Sequence, residues 1–226
     1  MAGVKQFDPE DVLDRAMEVF WRHGYEATSI QDLVEATGLN RGSLYATFHD
    51  KQQLFLAVVA HYAERVGSPL LAELADPDPR RAIERMFTAI LQRTSDPTTP
   101  RGCLITNTAL ECPGSGEEIS RTIATWISHQ ESALYHVLLR AQAAGALSRT
   151  QDCRALARFF VGVAQGLNVM HKAMADPVVL QDMVQMALQV WDASARPPTP
   201  RARLQRKRAS QAREARSSSQ HSHHER

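Results

Sequence analysis

Between Asn40 and Lys51 the chain sets out Asn40, Arg41, Gly42, Ser43, Tyr45, Thr47 and Lys51, a run of hydrogen-bonding and cationic side chains around one glycine. Asn and Arg can pair with base edges, Tyr and Lys can hold phosphate oxygens, and a glycine lets the backbone approach a sugar-phosphate chain closely. Ser29 and Gln31, a few residues upstream, add two polar groups of the same use. A second candidate chemistry is a thiol: Cys103 follows Arg101-Gly102 at a predicted helix start, where unpaired amides and the helix dipole favour thiolate. The alternative reading of Cys103 is a small buried hydrophobe. Neither set suggests bond-making. No Walker-type loop, nucleophile elbow or paired zinc-ligand motif occurs, so no catalytic residue is assigned.

Metal and cofactor readings are equally thin. His221, His223 and His224 cluster in a carboxy-terminal segment without a rigid surround, His129, His136 and His171 are isolated, and Cys103 with Cys112 lacks a second pair. No metal site and no cofactor are expected.

The polar run needs elements to position it, and the sequence supplies them. Asp8-Pro9-Glu10-Asp11 starts a helix with an acceptor cap and a first-turn proline, Leu13, Ala16, Met17 and Phe20 recur at helical spacing, and Gly24 ends it. Thr28 with Gln31, or Ser29 with Asp32, has the spacing of a capping box for a second helix that ends at Gly38. A short third helix runs from Leu39 or Asn40 to about His49. Its Leu44 and Phe48, four apart, face inward and turn the polar set outward. This is a helix-turn-helix, whose last short helix enters a major groove of DNA. Asp50 caps a fourth helix through about Arg65, and Gly67-Ser68-Pro69 marks a joint between domains unless that helix runs on.

Later helices are predicted from Asp78-Pro79, through a short apolar segment from Cys103 to Leu110, over Glu117 to Ala144, Asp152 to Met174, and Pro177 to Trp191. The fold class is therefore all-α: a helix-turn-helix domain over 1–66, a ligand-binding and dimerisation bundle over 67–195, and a disordered basic tail over 196–226. In the bundle Met86, Phe87, Ile90, Cys103, Asn107, Trp126, Gln130, Phe159 and Met170 are candidate lining residues for a small, mostly apolar effector. Helical stripes of this kind are more often plain core. Gly162 and Gly166, with Leu156, Phe159, Phe160, Val163 and Leu167 beside them and Val184, Leu188 and Trp191 on the last helix, are the expected homodimer surface. Packing within one chain is the alternative.

The net charge of +1 conceals an asymmetry. The segment from Arg196 holds nine of the 26 basic and two of the 25 acidic side chains, so the rest of the chain is acidic. Residues 1–66 carry six basic and ten acidic groups, a faint electrostatic footprint for a DNA-binding unit. Cys103, Cys112 and Cys153 are an odd number in a chain large enough to fold without staples, which favours reduced thiols. No apolar run approaches the roughly 20 residues that span a bilayer, so a cytoplasmic protein with no membrane partner is expected.

Thr28-Ser29-Ile30, Gly38-Leu39, Arg41-Gly42-Ser43-Leu44-Tyr45, Phe48, Asp50-Lys51 and Leu54-Phe55 together resemble the amino-terminal domain of TetR/AcrR-family repressors. Thr47 and Val34 depart from the family pattern, in which His and Ala are common. The resemblance implies a dimeric, all-helical, ligand-responsive repressor that binds a pseudo-palindromic DNA operator and takes its effector in the carboxy-terminal domain. The Arg101-Gly102-Cys103-Leu104 run, followed by Asn107 and Glu111, resembles a stretch in a subgroup of these repressors, some of which sense electrophiles or oxidants through a cysteine there. It implies a sensor role for Cys103, with Cys112 as a resolving partner. A helical protein-interaction module without DNA binding is the rival reading.

Overall fold

Asp8 starts the first helix by accepting the Glu10 amide at 2.9 Å. In the computed structural model, which describes residues 7–111 and 116–195, α1 then spans Pro9–His23 and stops at Gly24, whose φ of 85° favours glycine. The same logic repeats along the head. Ser29 and Asp32 close a reciprocal capping box on α2 (Ile30–Thr37), resolving the choice left open by the sequence, and Gly38 ends it in the left-handed region. Asn40 caps α3 (Arg41–Phe48), and Asp50 caps α4 (Lys51–Tyr62).

Beyond Tyr62 the helix does not break. A π turn over Ala63–Gly67 leads directly into α5 (Ser68–Ala72) and a 3-10 turn at Glu73–Ala75. Pro69 has no N–H to return to Arg65, and the wider turn absorbs that loss by sending the Ser68 amide back to the Ala63 carbonyl. Gly67-Ser68-Pro69 is thus a change of helical pitch inside one continuous rod. The body follows: α6 (Pro79–Ser95), α7 (Leu104–Glu111), α8 (Glu117–Ala143), α9 (Cys153–Ala173) and α10 (Pro177–Ala195). No strand occurs among the described residues, and no helix there is long and apolar enough to cross a membrane.

Two cores form, and their boundary does not follow the order of the chain. The head core gathers Ala16, Phe20, Trp21, Leu33, Leu44, Leu54, Phe55 and Tyr62, but also Cys103 just before α7, Leu104 and Ile105 on α7, and Ile119 and Ile123 from α8. The second core joins α6, the carboxy-terminal half of α8, α9 and α10. One helix, α8, serves both. Trp21 and Val12, absent from the periodicity reading of α1, prove to be buried on its inward side.

The expected dimer surface needs correction. Leu156, Phe160, Leu167, Val184 and Trp191 are buried inside their own chain, and a Cβ on Gly166 would touch Met183 of the neighbouring α10. Helical spacing groups residues on a stripe without saying which side of the stripe meets solvent. The outward apolar face of α9 and α10 is instead Phe159, Val163, Met186 and Val190, with Gly162 open beside it. The proposed basic tail, with His221, His223 and His224, lies outside the described residues, as does Cys112.

Candidate nucleic-acid interface and effector cavity

Leu44, 2% exposed, anchors α3 to the head core and so decides which of its residues face outward. Asn40, Arg41, Gly42 and Thr47 are exposed, and Ser43 and Tyr45 half-buried, on one short helix. The Arg41 guanidinium lies 5.7 Å from the centre of the Tyr45 ring, which holds these two candidate groups side by side. Ser29 and Gln31 open α2 beside this helix.

Several of these groups already have structural work. Asn40 Oδ1 accepts the Ser43 amide at 2.8 Å, leaving its amide nitrogen as the group for a base or phosphate. Ser29 Oγ accepts the Asp32 amide at 3.1 Å. Gln31 donates to Glu35, and Thr47 to the Ser43 carbonyl. A Cβ on Gly42 would meet the capping oxygen of Asn40 at 3.3 Å, so this glycine serves the cap as well as close backbone approach. Lys51 sits over the Tyr25 ring, 4.6 Å from its centre, and reaches the Glu26 carbonyl. The Asp32 carboxyl is held below the ordinary carboxylate range by its hydrogen bonds from Ser29.

The head is tied to the body at the α1–α2 turn. Glu111, at the end of α7, accepts the Tyr25 amide at 3.2 Å. Its carboxylate occupies the space a Cβ on Gly24 would need, which explains a glycine there beyond its backbone angle. Asp14 of α1 receives both His61 and Arg65 from the α4 rod. Gln52 of α4 donates to Glu118 of α8 at 2.8 Å.

Between α4, α5, α6, α8 and α9 lies a cavity of about 20 Å³, room for about one water. Of the residues expected to line a pocket, Met86, Ile90, Cys103, Trp126 and Gln130 meet here. The structure does not bring the other four to it. Phe87 turns into the body core, its ring edge-on to Phe160 at 5.9 Å. Asn107 is buried on α7 and donates to the Arg101 carbonyl, Met170 packs against the body core, and Phe159 stands on the outer face, 40% exposed. Phe87, Met170 and Phe159 lie on helices that do border the cavity, but a turn or a face away, and Asn107 lies on α7, four residues past Cys103.

Gln130 is joined on the wall by polar residues the sequence did not single out. Arg93, Gln165, Asn168 and Tyr62 all line the cavity. Arg93 follows Met86 and Ile90 at the same helical spacing, a signal that a charged residue on an apolar stripe hides. The Tyr62 hydroxyl donates to Cys103 Sγ at 3.1 Å, and burial pushes the Tyr62 phenol up. Trp126 forms the closing wall: a Cβ on Gly67 would lie 2.8 Å from its ring, and its other side borders an outer groove between α4 and α8.

His171 buttresses the start of α7 from α9, its Nδ1 accepting the Gly102 amide at 3.1 Å. Burial, then the charges of Arg93 and Arg101, hold its pKa below the ordinary histidine value. The unfolded chain therefore binds more protons than the folded one between the lowered value and about 6.5, and stability is lost as the pH is lowered through that window. Urea unfolding at about pH 7.5 and about pH 5.5 should show a smaller acid loss for His171→Gln than for the parent. Equal losses would mean His171 does not report.

A helix-turn-helix head with outward polar groups, joined to a helical body that encloses a cavity, defines a DNA-binding regulator. Family models agree: residues 12–58 match "Bacterial regulatory proteins, tetR family", and residues 79–187 match "Tetracyclin repressor-like, C-terminal domain". The HTH-type regulator YezE of Bacillus subtilis is 37% identical over 194 residues, covering 85% of this chain and all of that protein. The repressor ComR of Escherichia coli is 36% identical over 190 residues, covering 83% and 90%. A cysteine mutant of the regulator CifR, solved with 26-base-pair operator DNA, superposes with a TM-score of 0.79 at 30% identity, covering 84% of this chain and all of that one. The chain belongs to the TetR family of transcriptional regulators.

Proposed function

We propose that this protein is a repressor that grips a pseudo-palindromic operator as a homodimer and lets go when a small molecule enters the body. The observation that carries this reading is the pairing of an outward polar α3 with a cavity lined by Tyr62 of α4, which continues from the head, and by Cys103, just before α7, whose far end meets the head. The contacts proposed for DNA are Asn40, Arg41, Gly42, Ser43, Tyr45, Thr47 and Lys51, with Ser29 and Gln31 at the α2 start. Residues 1–66 form the reading unit and 67–195 the sensing and pairing unit. CifR, ComR and YezE support the assignment by what their names describe.

A ligand acts only through its difference in affinity for the two states of the heads. Occupying a cavity this small requires Trp126, Arg93 or the π turn to shift, and the π turn is part of the rod that carries the head. Modification of Cys103, 4% exposed at the same wall, would press on Tyr62 of that rod and supplies a second route to release. Gel shifts with the DNA flanking the protein's own gene should give a discrete complex, abolished by a compound that leaves the dimer intact. Absence of any sequence-specific complex would overturn the reading. Release by an electrophile that persists unchanged in Cys103→Ser removes the thiol route.

A further inference from the structure

The cavity holds a cation without an anion. The Arg93 guanidinium gives N–H donors to two neutral acceptors, the Gly102 carbonyl at 3.0 Å and Asn168 Oδ1 at 2.6 Å. On the same helix Arg80, Arg81 and Arg85 each pair with a carboxylate, whereas Arg93 makes no ion pair among the described residues. No Asp or Glu lines the cavity. Glu73, which shares an outer cleft with Arg93 on its far side, is engaged by Arg85 at 2.6 Å.

A second donor points the same way. Thr106 donates to Gln165 Oε1 at 2.6 Å, and Gln165 donates to Gln130 Oε1 at 2.8 Å. This relay fixes the Gln130 amide, 6% exposed, with its oxygen occupied and its NH₂ group without a protein partner among the described residues. A donor left unmatched on the cavity wall favours a ligand that accepts, and a planar guanidinium matches a carboxylate in charge and shape. The remaining wall, Met86, Ile90 and Trp126, is apolar.

We propose that the cavity takes a small amphipathic carboxylate, its anionic end on Arg93 and the Gln130 amide and its apolar body against Met86, Ile90 and Trp126. This deepens, and rests on, the reading of the protein as a repressor released by a small molecule. An incoming carboxylate competes with the Gly102 carbonyl for Arg93. Gly102 lies just before α7, whose far end holds the Tyr25 amide through Glu111, so the exchange reaches the head along one short helix.

The full-length protein, without DNA, is titrated calorimetrically with hexanoate, octanoate and phenylacetate, each beside its primary amide. At least one acid should saturate with a Kd about tenfold or more below that of its amide. Arg93→Met should erase that preference, and Arg93→Lys should keep part of it. Where Arg93→Met does not fold by circular dichroism, Gln130→Met decides: weaker acid binding supports the site, and unchanged acid binding overturns it. Acids that all fail to bind, or bind no better than their amides, overturn it too. An acid that binds as expected but leaves a specific operator complex intact supports the site and overturns release by small molecules instead.

Discussion

Arg41→Ala combined with Tyr45→Phe should lower operator affinity on the order of a thousandfold while leaving the melting temperature nearly unchanged. Each direct contact to base or phosphate contributes about tenfold, and a homodimer carries both substitutions twice. The loss stops where non-specific attraction takes over, about a thousandfold or more weaker than specific binding. Neither changed group is buried: Arg41 is exposed and Tyr45 half-buried, with Leu44 between them holding the helix in place. Surface changes of this kind shift stability by no more than about 0.5 kcal/mol. Competition gel shifts against non-specific duplex, alongside thermal melting, measure both quantities. A double variant that binds its operator as tightly as the parent would remove α3 as the reading helix and favour a protein-interaction module.

Phe20→Ala should be the most damaging single change to the head, destabilising it by about 3–5 kcal/mol. Phe20 is fully buried, meets Phe55 edge-on at 4.9 Å and stacks near Tyr25 at 6.2 Å. Against a total stability of about 5–15 kcal/mol, that loss is a large share. Because the head core also contains Ile105, Ile119 and Ile123, its failure should spread, and denaturant unfolding should shift as a single cooperative transition. Phe159→Ala is the matching control. At 40% exposure its side chain contributes little to the folded chain, so its effect should appear in the dimer dissociation constant. A head that melts separately in Phe20→Ala, with the body transition unmoved, would contradict the shared core.

Much of the head was legible because its signals are local. Ser29 with Asp32, Asn40, Asp50, Gly24 and Gly38 each fix a helix end through a bond or a backbone angle within three or four residues. The outward polar set on α3 followed from Leu44 and Phe48, four residues apart. The body was legible only as helices. Whether Phe160 faces inward and Phe159 outward, or whether Arg93 meets Asn168, depends on contacts between residues up to 75 apart in the chain. Amphipathic spacing cannot rank two sides of a helix that is apolar on more than one. The π turn escaped for a different reason: Gly67, Ser68 and Pro69 read as a break, and only the packing of Trp126 on Gly67 shows why the chain is held straight through it.

The shared core also governs transplantation. A chimera that moves residues 1–66 onto another helical body carries away the cover of Cys103, Leu104, Ile105, Ile119 and Ile123, and strands Glu111 without the Tyr25 amide. Operator specificity is better exchanged by rewriting only the outward positions of α2 and α3, which leaves the joint between donor and recipient where nature placed it, inside neither half.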